Sequence, residues 1–91
     1  MSEPLRITAD QASQPTLGAL TIGIIAVGEP QGIPSARLLL RPRSGDEAVT
    51  LQLHQSLTVP GYGELTLEEV TLPENGQRGS VQLALQPHPG T

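Results

Sequence analysis

The stretch Tyr62–Gln86, YGELTLEEVTLPENGQRGSVQLALQ, decides the fold. Two alternating aliphatic runs, 62–72 and 78–86, flank Asn75-Gly76, a pair that accepts the positive φ of a tight hairpin turn. Folding the chain back about that pair sets Val70 opposite Val81. Parity then breaks, because Leu65 and Leu67 are odd positions while Val70 and Leu72 are even. One extra residue restores it. If Glu68 and Glu69 together oppose Gln82, then Leu67 faces Leu83 and Leu65 faces Leu85. The sequence therefore predicts a β-bulge at Glu68-Glu69.

Working outward, 35–43 and 47–54 read as a second hairpin around Ser44-Gly45-Asp46-Glu47, with glycine at the first central position of a type II′ turn. That turn sets Leu40 opposite Leu51, Leu38 opposite Leu53 and Pro42 opposite Val49. The other face pairs Arg41 with Thr50, Leu39 with Gln52 and Arg37 with His54. Apolar residues collect on one side and mostly polar ones on the other.

The strongest single strand is 18–28, GALTIGIIAVG. Leu20, Ile22, Ile24 and Ala26 share one face, and Ile25 with Val27 makes its far end apolar on both. Glu29-Pro-Gln-Gly-Ile-Pro34 then breaks it. A short strand at 5–8 precedes a polar connection over 9–17. Another at 57–59 stops at Pro60-Gly61-Tyr62-Gly63. The sequence predicts one all-β domain over 1–86, with a loose tail at 87–91 and no internal repeat. It is a small antiparallel β-sandwich or open barrel of six to seven short strands, built from consecutive hairpins.

Composition limits what such a domain can do. The 91 residues include one tyrosine, no phenylalanine, no tryptophan and no cysteine. The core must come from Leu, Ile, Val and Ala, without the 150–250 Å² that each aromatic side chain would bury. Core material this thin suggests very regular pairing or an oligomer. The formal charge is −4, and the basic residues Arg6, Arg37, Arg41, Arg43 and Arg78 are all arginines. That balance opposes nucleic-acid binding, and arginine-only usage suggests a GC-rich, bacterial genome. No leader is evident at the N-terminus, and the longest apolar stretch, 22–27, is too short to span a bilayer. A cytoplasmic location is expected and no membrane partner, although a virion or extracellular assembly stays compatible.

The candidate chemistry is sparse. A metal site would need His54 and His88 brought together with carboxylates; both read better as solvent-facing or tail residues. No G-x-S-x-G elbow is present, and Gly61-Tyr62-Gly63 lacks the lysine and helix of a phosphate loop. Glu68-Glu69 lacks the stacking aromatics of a sugar cleft. No enzymatic activity, cofactor or metal is expected.

Surfaces are the better candidates. Ile25 and Val27 offer an apolar outer patch. Pro30, Ile33 and Pro34 stiffen a loop that presents one apolar residue. Arg37 and Arg41, with Arg43, form a basic strand face suited to an acidic partner. Tyr62, the lone aromatic, is a barrel plug or an interface anchor. The segment 53–70, a short strand, a glycine turn and an amphipathic strand, resembles a packing pattern shared by unrelated β-sandwiches and barrels. The expected function is a small protein-interaction or structural module, acting on a protein partner or on itself as a homo-oligomer. Three alternatives are an inhibitor or immunity-type protein using loop 29–34 or the acidic surface, a capsid or filament component, and a cupin-like small-molecule or metal binder.

Overall fold

A computed structural model describes residues 4–42, 45–73 and 78–87. Its strands are β1 (Leu5–Asp10), β2 (Thr16–Leu17), β3 (Leu20–Gly28), β4 (Ser35–Arg41), β5 (Glu47–Gln52), β6 (Ser56–Val59), β7 (Gly63–Thr71) and β8 (Ser80–Gln86). They form two four-stranded sheets, an N-sheet of order β2-β3-β4-β5 and a C-sheet of order β1-β8-β7-β6. Every pairing is antiparallel. Each strand lies next to its sequence neighbour, either within a sheet or across a corner between sheets, and β8 closes on β1. The molecule is an up-and-down meander rolled into a flattened sandwich: the antiparallel sandwich matches the sequence expectation, with eight strands in place of six to seven because the 9–17 connection adds the short strand β2.

The inner faces are aliphatic. Leu20, Ile22, Ile24 and Leu38 of the N-sheet meet Leu65, Leu67, Val81 and Leu83 of the C-sheet, all under 2% exposed. The second hairpin pairs as its sequence requires: Val70 with Val81, Leu67 with Leu83 and Leu65 with Leu85. The register slips between Leu67 and Glu69, so Glu68 is the bulged residue and Glu69 stands opposite Gln82. The Asn75-Gly76 turn lies outside the described residues, as do Arg43, Ser44, His88 and 89–91.

Three expectations need correction. The β4–β5 register differs by four residues: Leu40 pairs with Glu47, Leu38 with Val49, Ala36 with Leu51 and Arg37 with Thr50. The four-residue shift is even, so every side chain keeps its face. Proline explains the longer connection. Because β4 is bonded on both edges, Pro42 would leave a ladder position without a donor, and the strand ends at Arg41. Gly45 N donates to Pro42 O within the connection, at 3.2 Å.

The second correction concerns β3. Its register slips between Ile24 and Ala26, so Ile25 is itself a bulge. Ile24 and Val27 both point inward, while Ile25 and Ala26 both point outward. Val27 is core, 7% exposed, and not the surface residue that strict alternation predicts. Ala26 moves out in its place.

The third correction is an internal repeat. β1–β4 and β5–β8 are the same unit twice. The nine-residue strands β3 and β7 each bulge at their sixth residue, Ile25 and Glu68. Seven-residue β4 matches β8, and six-residue β5 matches β1. The corners match bond for bond. Ala12 N donates to Ile24 O and His54 N to Leu67 O, each at 2.7 Å. Ile24 N donates to Ser13 O at 2.9 Å, and Leu67 N to Gln55 O at 3.1 Å. Gln11 N and Leu53 N reach Gly79 O and Pro34 O, the carbonyls just before β8 and β4.

In each unit the first strand crosses to the sheet built by the other. β1 lies in the C-sheet and β5 in the N-sheet, so neither half carries a complete sheet of its own. One sequence signal does mark the repeat: Ser35-x-x-Leu38-x-Leu40-x-Pro42 recurs as Ser80-x-x-Leu83-x-Leu85-x-Pro87.

Candidate functional site

The repeat places the two outer sheet faces in equivalent frameworks, so each serves as a control for the other. On the C-sheet the outward residues of β7 are Glu64, Thr66, Glu68, Glu69 and Thr71, flanked by Arg6, Thr8 and Gln82. Arg6 Nε donates to Glu68 Oε1 at 3.0 Å. The Ser56 and Thr66 hydroxyls share a hydrogen bond of 2.8 Å. Such exposed polar pairs keep a face wetted at little gain in stability.

On the N-sheet the equivalent positions read differently. Thr66, Glu68 and Glu69 are replaced by Gly23, Ile25 and Ala26, and Arg6 by Ala48. Gly23, Leu39 and Ala48 form one cross-strand row, and Ala26, Arg37 and Thr50 the next. The Ile25 bulge lies beside them, 45% exposed. Gly23 lacks a side chain where a Cβ would sit 3.6 Å from that of Leu39, which lowers the floor between Leu39 and the 12–14 segment. A shallow depression of about 210 Å³ lies there, walled by Ser13, Gln14, Ile25 and Leu39. A second, about 180 Å³, lies beyond Ala26, against Arg37 and Thr50.

Charge adds direction to this face. Arg37 and Arg41 project from β4 on either side of Leu39, both exposed. Arg41 Nε approaches Asp46 Oδ2 at 3.8 Å, a loose pair with both side chains solvated. Arg37 takes part in no ion pair among the described residues.

The remaining candidates disperse. Ile33 is 41% exposed in the β3–β4 loop. Pro30 opens a single 3-10 turn, Pro30–Gly32, in which Gln31 holds φ 56°. Gly32 N donates to Glu29 O at 3.1 Å, and Ser35 Oγ to Ile33 O at 3.0 Å. Leu53 N binds Pro34 O at 2.9 Å, and Pro34 is half-buried. Tyr62 is half-buried against the core. His54 is not a strand residue beside Arg37; it turns the β5–β6 corner with φ 68°, and Thr50 takes the expected place. Sequence reading missed Gly23, Ala26, Leu39 and Ala48 as a surface, because the bulge and the register shift that assemble them were both unread.

Among the described residues, no group of three or more His, Asp or Glu side chains is placed to hold a metal ion. Nor, among the described residues, is any helix long and apolar enough to cross a membrane. Comparison with protein-family models, curated proteins and solved structures returned no match.

Proposed function

We propose that this domain is a non-enzymatic protein-interaction module whose contact face is the outer surface of the N-sheet. One observation carries the reading. The repeat shows that this framework is satisfied by Thr66, Glu68 and Glu69, yet the N-sheet holds Gly23, Ile25 and Ala26 at those positions. The fold does not need the apolar set there; Ile25 and Ala26 are exposed while Gly23 is buried, and exposed apolar residues grouped on one face mark contact sites.

The partner is a protein segment that carries an apolar residue beside carboxylates. The apolar residue would cover Ile25 and Leu39, and the carboxylates would meet Arg37 and Arg41. Area favours a segment over a second copy. Three strands about 4.8 Å apart and six residues long, at about 3.3 Å per residue, give a face of roughly 14 by 20 Å. A stable dimer needs nearer ~800 Å² from each partner.

A random-peptide display selection on the immobilised domain tests this, run in parallel on the wild type and Ile25→Glu. Peptides pairing Asp or Glu with an aliphatic residue should be enriched on the wild type, lost on Ile25→Glu and weakened on Arg37→Gln. Peptides without that pattern, or binding indifferent to both changes, would contradict it.

Loop 29–34 supports a second reading, as an inhibitor-like anchor. Ile33 is exposed on a loop pinned by the hydrogen bonds at Gly32, Ser35 and Pro34, and such preorganisation lowers the entropy lost on binding. Selected peptides that survive Ile25→Glu but are lost on Ile33→Asp would favour this loop.

A further inference from the structure

We infer that this chain is a covalently joined pair of half-domains, and that a second copy can enter the fold by exchanging halves, β1–β4 of one copy closing on β5–β8 of the other. The inference rests on the repeat and is independent of the N-sheet contact face.

Neither half closes alone. β1 finds its hydrogen-bond partner in β8, and β5 in β4, so the ladders joining the halves are reciprocal, as in a twofold dimer. The halves are continuous only through residues 42–46. Everything that holds β1–β4 to β5–β8 other than that connection is non-covalent. An exchanged dimer reproduces the same ladders and the same core, and differs from the monomer only in the connection and in association entropy.

Packing specifies which half a half accepts. In the N-sheet Ala36 lies beside Leu51, and in the C-sheet Val81 lies beside Ala9. Each row thus sets a smaller residue against a larger one. Two first halves would place Ala36 against Ala9 in both sheets and leave voids. Two second halves would place Val81 against Leu51 in both and overfill them. First half with second half is therefore the favoured pairing, whether within one chain or between two.

Two full-chain variants test this. In the first, residues 42–46 are deleted, joining Arg41 to Glu47, so that β4 runs into β5 and cannot fold back on it. Sedimentation should give a folded species of twice the chain mass at every concentration studied. In the second, a protease site is inserted between residues 43 and 44 and the folded chain is nicked. The halves should stay together as one species with the intact circular-dichroism spectrum, and should regain it after dilution from urea. A deletion variant that folds as a monomer, or a nicked chain that separates into unstructured halves, would overturn the inference.

Discussion

Ala12 and His54 perform the same task at the two corners of the sandwich. Each holds a positive φ, 73° and 68°, and each donates its amide to the residue just before a bulge, Ile24 and Leu67, at 2.7 Å. A left-handed residue there turns the chain out of one sheet and aims it at the edge of the other. Side chains with a Cβ pay about 1–2 kcal/mol for that conformation, so both corners are strained in the same way.

Glycine at either corner should therefore stabilise the protein. Part of the strain relieved returns as the greater entropy of glycine in the unfolded chain, which leaves a net gain of about 0.5–1 kcal/mol for Ala12→Gly and for His54→Gly. Urea unfolding should show the two gains adding in the double variant. A loss of stability in either would mean that the corner side chain contributes contacts that outweigh the strain.

The bulges make deletion tolerance position-specific. Removing Glu68 leaves Leu67 opposite Leu83 and Glu69 opposite Gln82, so the aliphatic face survives. Removing Thr66 turns one stretch of β7 inside out. The Glu68 deletion should fold with a modest loss of stability, and the Thr66 deletion should not fold. Proton-exchange protection of the β7–β8 amides would distinguish them.

Gly63 holds φ 139° and lies so close to Gln86 that a Cβ would overlap the Gln86 carbonyl. Backbone atoms cannot move aside as a side chain can. Gly63→Ala should destabilise well beyond the left-handed penalty alone, because the Cβ meets fixed backbone. Gly61→Ala, at φ 83° with open space around it, should cost only the left-handed penalty of about 1–2 kcal/mol. Equal losses in thermal unfolding would refute the clash.

Leu38 and Leu83 are equivalent core positions, both fully buried. Leu38→Ala and Leu83→Ala should each lose about 2–5 kcal/mol, and by similar amounts if the halves are equivalent in packing. Ile25→Glu copies what β7 already has at Glu68, so its stability should stay within about 0.5 kcal/mol of the wild type. A large loss would show that Ile25 is structural, which would remove the reason for reading its face as a contact surface.

Much of the C-terminal half was legible because its signals agree. The parity break between Leu67 and Val70 admits one repair, and that repair is the bulge at Glu68. The bulge at Ile25 left no such trace. Its neighbours Ile24, Ala26 and Val27 are all apolar, so a change of face changes no residue class. Ser44-Gly45-Asp46-Glu47 suggested a tight turn, but Pro42 in a doubly bonded strand set the strand end instead. The repeat was hidden because the outward positions have diverged, Ile25 against Glu68 and Ala48 against Arg6. Its framework residues, mostly Leu and Val, are those any β-sandwich would use.

The most direct measurement is a ¹H–¹⁵N titration of the labelled domain with the strongest acidic–aliphatic peptide from the display selection. Binding through the N-sheet face should shift the amides of Gly23, Ile25, Ala26, Arg37, Leu39 and Ala48, and leave Thr66, Glu68, Glu69 and Ala84 in place. Shifts confined to the C-sheet, to the free edge of β1, or absent at saturating peptide would contradict the assignment of that face.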